Sequence, residues 1–180
     1  MDLYDKALKF ATTKHNGQTR KDGITPYIAH PIDVSKLIED FAFDNDNLET
    51  MMVSALLHDT IEDTDTTYEE IYEEFGETIA NIVLELTSDK IEQKRVGKAK
   101  YLKEKMYKMS EEALTVKLAD RLSNLKDRKG LSQGEIKECI SHNQEIISYL
   151  RENRALNDDQ IVILFAIEHE IKYCLDNIFI

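Results

Sequence analysis

The sequence predicts an all-α protein built as a single helical bundle, and three observations carry that prediction. The chain of 180 residues holds two prolines and six glycines, so little in it interrupts helices. Apolar residues recur at three- and four-residue spacing in one segment after another, the period of a helix that buries one face. A hydroxyl residue stands three positions ahead of a glutamate at Thr67/Glu70 and at Ser132/Glu135, the signature of a capped helix start. This length supports one buried core. No repeat, low-complexity tract or linker divides residues 1–180.

A first helix is expected over residues 3–15, with Leu3, Ala7, Phe10 and Ala11 inward and Gly17 as its stop. Residues 17–29 read as a polar loop. Pro31 suits the first turn of a second helix, whose core stripe is Val34, Leu37, Ile38 and Phe41. Leu48, Met51, Met52, Ala55 and Leu56 fall at i, i+3, i+4, i+7 and i+8 and mark a third. Thr67 opens a fourth, and Gly76 separates it from a fifth that ends near Leu86. Residues 90–108 form a basic stretch. Ser110 caps a long helix with Leu114, Leu118, Leu122 and Leu125 on its buried side. Ser132 caps a helix over residues 133–152, and a last helix occupies roughly residues 158–175. Its apolar run from Ile161 to Ile167 has the length of a strand, but its helical neighbours favour a helix.

The formal net charge is −12, which argues against general binding of nucleic-acid polymers, because a phosphate backbone requires cationic surface. A small anion held by a local patch remains compatible with it. Residues 90–108 carry eight basic side chains against two acidic ones, enough to draw a polyanion locally, although most of those lysines read as a solvated helix face. Cys139 and Cys174 lack any Cys-x-x-Cys partner, so neither a zinc knuckle nor a disulfide framework is indicated. The start, Met-Asp-Leu-Tyr-Asp, lacks the basic and apolar regions of a signal peptide. No apolar run is long enough to span a bilayer. A cytoplasmic protein without membrane association is expected.

The chemistry concentrates in His58-Asp59-Thr60-Ile61-Glu62-Asp63-Thr64, directly behind the apolar third helix. If that helix runs on through Asp63, residues 58 and 62 stack one turn apart, as do 59 and 63. All four then project within an arc of roughly 140°, forming a polar pocket at the end of a core helix. Along the long helix, Lys117, Asp120, Arg121 and Asn124 gather on one face, with Asp120 and Asn124 one turn apart. A charged face is ordinarily just solvated, and a lone histidine such as His30 is ordinarily structural. Together, however, His30, His58, Asp59 and Asp120 supply two imidazoles and two carboxylates to one cation. Nitrogen and oxygen donors without thiolate suit an octahedral ion such as Mn²⁺, with Fe²⁺, Co²⁺ or Mg²⁺ as alternatives. Such an ion neutralises charge on phosphoryl oxygens and acidifies water. Glu62 and Asp63 are then placed to orient or deprotonate that water. Arg20 and Lys21, shortly before His30, are the better-placed phosphate contacts. Tyr27 either stacks, hydrogen-bonds or is simply packed.

These residues occur in an order that resembles the HD-domain phosphohydrolases, and more narrowly the single-domain alarmone hydrolases of the RelA/SpoT family. The resemblance rests on Ala11-Thr-Thr-Lys-His15-Asn-Gly-Gln18, on Arg20-Lys21-Asp-Gly with Pro26-Tyr27-Ile-Ala-His30-Pro31, on Ala55-Leu-Leu-His58-Asp59-Thr-Ile-Glu62-Asp63-Thr64 and on Lys117-Leu-Ala-Asp120-Arg-Leu-Ser-Asn124-Leu. It covers roughly residues 1–128 on this motif evidence. The resemblance implies that His30, His58, Asp59 and Asp120 bind one Mn²⁺ and that Glu62 and Asp63 are the catalytic carboxylates. It further implies that Arg20 and Lys21 border the nucleotide and that Asn124 contacts its ribose or phosphate. The implied reaction removes pyrophosphate from the 3′ position of ppGpp or pppGpp, leaving GDP or GTP. His142 and His169 fall in the unmatched part and are not expected in the site. Two rival readings remain at this stage. One is an HD phosphohydrolase for another nucleotide, such as a nucleoside phosphate or the 2′-phosphate of NADPH. The other is a nucleotide-binding module without turnover, against which Glu62 and Asp63 both count.

Overall fold

The computed structural model describes residues 2–178 and is helical in the expected order. Its elements are α1 (Leu3–Lys14), α2 (Ala29–Phe41), α3 (Leu48–Leu57), α4 (Thr60–Asp63), α5 (Tyr68–Phe75), α6 (Glu77–Leu86), α7 (Lys90–Val96), α8 (Lys98–Lys108), α9 (Glu111–Lys126), α10 (Gln133–Asn153) and α11 (Asp158–Ile178). Among the described residues no strand forms, and the Thr19–Pro26 pairing is an isolated bridge within the loop before α2. The Ile161–Ile167 run lies inside α11. No helix among the described residues is long and apolar enough to cross a membrane.

The centre of the bundle is α9, which buries every residue from Ala113 to Ser123. A helix buried all round must satisfy its polar side chains internally, and α9 carries Lys117, Asp120, Arg121 and Ser123. Helices α2 and α11 pack directly on α9, while α3 packs on α2 and α1 on α3. Two apolar clusters result. Met51 and Ala55 of α3 belong to the larger, around α9, whereas Val53, Leu56 and Leu57 join the smaller one with α1, α5 and α6. The C-terminus of α3 therefore ends between two cores, and whatever follows Leu57 is held from both sides.

Local signals explain most boundaries. Ser110 Oγ accepts from Ala113 N–H at 3.3 Å, and Ser132 with Glu135 forms the complete reciprocal box that starts α10. At Thr67 the hydroxyl accepts from Glu70 N–H at 3.2 Å, the forward half of the expected box. The basic stretch, most of whose lysines read as a solvated helix face, forms two helices, α7 and α8, joined at Gly97, whose φ of +92° favours glycine.

The third helix ends at the His-Asp pair, as read, and the conditional extension through Asp63 is not met: α3 stops at Leu57 and the chain restarts as α4 at Thr60. His58 Nδ1 lies 2.7 Å from Ala55 O, and Thr60 Oγ1 donates to Leu57 O at 2.6 Å. These side chains satisfy carbonyls that a continuing helix would pair with backbone N–H groups. The stacked arc of four residues is thus split, with His58 and Asp59 in the break and Glu62 and Asp63 one short turn beyond it.

Candidate metal centre and adjoining cavity

Three helices deliver the predicted ligands to one point. His30 comes from the first turn of α2, His58 from the end of α3, Asp59 from the break behind it, and Asp120 from the buried middle of α9. His30 Nε2 lies 3.1 Å from Asp120 Oδ1, and His58 Nε2 lies 3.0 Å from Asp59 Oδ2. The crossed distances, His30 to Asp59 and His58 to Asp120, are both 3.9 Å. Ligand atoms of His30, His58 and Asp120 all fall within 4.8 Å of one another, and all three residues are buried.

Each of these groups is oriented from behind. His58 Nδ1 donates to Ala55 O, which places that proton and turns Nε2 toward the carboxylates. His58 Nε2 is buried without a hydrogen-bond partner, since its approach to Asp59 lacks hydrogen-bond alignment. A buried ring nitrogen aimed at two carboxylates and a second imidazole fits a cation ligand. His30 Nδ1 lies 3.1 Å from Ser123 Oγ. Asp120 Oδ2 meets Lys117 Nζ at 2.9 Å, and Asn124 Nδ2 donates to Asp120 Oδ1 at 2.5 Å. The Tyr27 hydroxyl donates to Asp59 Oδ2 at 2.6 Å.

The electrostatics agree with that geometry. Burial alone would raise the Asp120 carboxyl, but Lys117, His30 and His58 hold it well below the usual carboxylate range. Burial also acts upward on Asp59 and is likewise outweighed, here by His58 and His30. Burial would lower the His58 imidazole, yet Asp59 and Asp120 raise it to about 9. The site is therefore strongly attractive to positive charge, whether a proton or a metal ion supplies it.

Glu62 and Asp63 face a different neighbour. Glu62 Oε2 accepts from Ser88 N–H at 2.8 Å, in the α6–α7 connection, and Asp63 Oδ1 pairs with Lys90 at 2.7 Å. The Tyr27 hydroxyl lies 3.5 Å from Asp63 Oδ2, so this tyrosine stands between Asp59 and Asp63. Burial and then Asp59 push the Tyr27 phenol far up, which keeps it a donor. The Tyr27 ring packs on His15 at 4.7 Å, and Gln18 joins His15 Nδ1 (2.8 Å) to Asp63 O (2.8 Å).

Arg20, Lys21 and Asn124 share one cavity of about 300 Å³, together with Lys98, Arg121 and His142. Arg20 donates to Asp127 at 2.9 Å and to Asn124 at 3.2 Å. Lys21 is mostly exposed and pairs with Glu135 at 2.7 Å, both residues lining this cavity. α10 carries His142 to the wall of this cavity, and His169 is exposed on α11. Ser88, Ser123 and the supporting contacts of His15 and Gln18 escaped the sequence reading; Lys90 was read only within the basic stretch, and Tyr27, left open between stacking, hydrogen bonding and packing, both stacks and hydrogen-bonds. Asn124 had been read as a nucleotide contact, and the structure gives it a second task as a donor to Asp120. The spacing of His15 and Gln18 was visible as a motif, but nothing local indicated their partners.

Comparison with known proteins extends beyond the motifs. A family model described as HD domain matches residues 7–155. A guanosine-3′,5′-bis(diphosphate) 3′-pyrophosphohydrolase of Xenopus tropicalis, MESH1, is 37% identical over 166 residues, covering 89% of this chain and 91% of its own length. Its human counterpart is 37% identical over 160 residues, covering 85% and 88%. A solved structure described as a metazoan orthologue of SpoT that hydrolyses ppGpp superposes with a TM-score of 0.78 at 31% identity, over 94% of this chain and 96% of that one. The likeness thus runs well past residue 128, into the part where the motifs had run out.

Proposed function

The chain belongs to the HD-domain family, and on that premise we propose that it is a metal-dependent hydrolase of (p)ppGpp that releases pyrophosphate from the 3′ position. One observation carries the reading above the others: two buried histidines and two carboxylates converge with a partnerless His58 Nε2, beside Glu62 and Asp63. The names of the relatives supply the substrate, and their coverage of nearly the whole chain supports one HD domain over residues 1–180. Manganese is the ion we infer, from a donor set of nitrogen and oxygen without thiolate. A cytoplasmic setting, where the nucleotide is available, completes the reading.

His30, His58, Asp59 and Asp120 would hold the ion, which supplies charge neutralisation for the phosphoryl oxygens and makes water more acidic. The remaining work belongs to side chains of this protein. Arg20, Lys21 and Asn124 border the nucleotide in their shared cavity, which converts the attack on phosphorus into an oriented, intramolecular event. Glu62 and Asp63 orient the attacking water and accept its proton. Ser88 N–H fixes Glu62 through Oε2, leaving Oε1, 3.8 Å from Lys90 Nζ, to make that contact. Tyr27 keeps Asp59 turned toward the histidines. Hydrolysis adds hydroxyl to phosphorus and a proton to the ribose 3′ oxygen, so GDP or GTP and pyrophosphate leave in equal amounts.

The test is a metal-stripped sample incubated with ppGpp, with and without restored Mn²⁺. Equimolar GDP and pyrophosphate that appear only with Mn²⁺ are expected. A folded, Mn²⁺-loaded sample that forms neither product would overturn the substrate assignment.

A further inference from the structure

We propose that Lys90 is a substrate contact, its ammonium moving from Asp63 to the 3′-diphosphate of the bound nucleotide and so releasing Asp63 to direct water. The inference rests on the hydrolase reading above and names a residue of that site which neither motif nor spacing singled out.

The position of Lys90 has no packing explanation. It opens α7, a helix in which no residue is buried and whose Ile91 is 82% exposed. Its side chain is itself 55% exposed, yet Nζ reaches Asp63 Oδ1 at 2.7 Å, Glu62 O at 3.2 Å and Glu62 Oε1 at 3.8 Å. An ammonium so placed stands against both candidate water-directing residues.

The backbone beneath it is fixed. Ser88 N–H donates to Glu62 Oε2 at 2.8 Å, Asp89 N–H donates to the Tyr101 hydroxyl at 2.7 Å, and Lys105 donates to Thr87 O. The Asp89 side chain caps α7 through Ile91 N–H at 2.9 Å and Glu92 N–H at 3.0 Å. Three successive residues before Lys90 are therefore tied to α4 and α8. The flexible part is the side chain, whose four-carbon stem carries a freely rotating donor.

Charge sets the direction of the move. A diphosphate carries more negative charge than one carboxylate, and attraction at contact distance rises with that charge. While paired with Lys90, Asp63 Oδ1 is occupied by the ammonium at 2.7 Å and is not free to hold water. Substrate that draws Lys90 away frees that oxygen to orient the attacking water.

The experiment compares Lys90→Met and Lys90→Arg with the unmodified protein, all with Mn²⁺, and first checks that thermal midpoints agree. It measures KM for ppGpp and the inhibition constants of pyrophosphate and of GDP, which lacks the 3′ group. Lys90→Met is expected to raise KM and the pyrophosphate constant about tenfold, the scale of one charge-assisted hydrogen bond. The GDP constant is expected to stay unchanged, and Lys90→Arg to recover most of the loss. Unchanged pyrophosphate inhibition, or an equal rise for pyrophosphate and GDP, would overturn the assignment. If the unmodified protein does not hydrolyse ppGpp, the hydrolase reading fails separately. Calorimetric titration of pyrophosphate into the Mn²⁺-loaded proteins then tests Lys90 alone, with weaker binding to Lys90→Met expected and equal binding overturning its role.

Discussion

Tyr27 donates its hydroxyl hydrogen to Asp59 Oδ2 at 2.6 Å, joining a loop residue to a carboxylate 32 positions away. The same oxygen lies 3.5 Å from Asp63 Oδ2. A tyrosine in the loop before α2 thereby positions one proposed metal ligand and adjoins one proposed catalytic carboxylate. Supporting hydrogen bonds of this kind typically change metal affinity by roughly 10- to 100-fold when removed. Tyr27→Phe keeps the ring on His15 and deletes only the donor. We expect its Mn²⁺ affinity, measured by calorimetry, to fall by about tenfold with little change in thermal midpoint. An unaltered affinity would show that Asp59 is oriented by other means.

Asp120 combines a structural role with a chemical one. Its Oδ2 is the ion-pair partner of the buried Lys117 ammonium at 2.9 Å. Removing one member of a buried pair strands the other charge and costs about 3–5 kcal/mol. Asp120→Ala should lose Mn²⁺ binding and also unfold at markedly lower denaturant. Adding Lys117→Met to it should recover part of the stability and none of the metal binding. A double variant as unstable as the single one would contradict this account. Glu62→Gln, by contrast, should retain Mn²⁺ and lose most turnover, which separates ligand from catalyst.

Metal binding should release protons. Without an ion, Asp59 and Asp120 raise His58 to about 9, so the imidazole is protonated at neutral pH. A metal ligand must be deprotonated, so binding expels that proton and apparent affinity rises with pH up to about 9. Calorimetry at pH 7.5 in buffers of different ionisation enthalpy should report release of close to one proton per ion. Heat that is independent of the buffer would refute the coupling.

Gly130 packs against the backbone of the loop that carries Arg20 and Lys21, the proposed nucleotide contacts. Its φ is +75°, and a Cβ added there would lie 2.5 Å from the backbone oxygen of Lys21. Gly130→Ala must strain its own backbone, at a cost of about 1–3 kcal/mol, or push away the segment that carries Arg20 and Lys21. We expect reduced stability and a raised KM for ppGpp, with Mn²⁺ affinity preserved because no ligand residue moves. A variant with wild-type KM would place the 20–21 segment outside substrate binding.

The order of helices was readable because helical periodicity and capping are local properties. Ser132 and Glu135 specify the start of α10 within four residues, and Leu114, Leu118, Leu122 and Leu125 mark the buried face of α9. The end of α3 at the His-Asp pair was readable, but the restart as α4 at Thr60 was not. It depends on whether two side chains or the backbone satisfy the carbonyls of Ala55 and Leu57, a competition that the apolar pattern does not encode. The second task of Asn124, as a donor to Asp120, was hidden for a related reason, since one turn of helix allows contact without requiring it.

By itself, then, the sequence determined an all-α chain and the residue types able to hold a cation and move a proton, because composition, period and motif order are written along the chain. Tertiary structure alone decided that α2, α3, the break behind α3 and α9 bring His30, His58, Asp59 and Asp120 together, that Tyr27 stands between Asp59 and Asp63, and that Lys90 rests on Glu62 and Asp63. The longest of those relationships joins His30 to Asp120, 90 positions away. Packing of one helix face against another fixes most of them, and no local spacing records it.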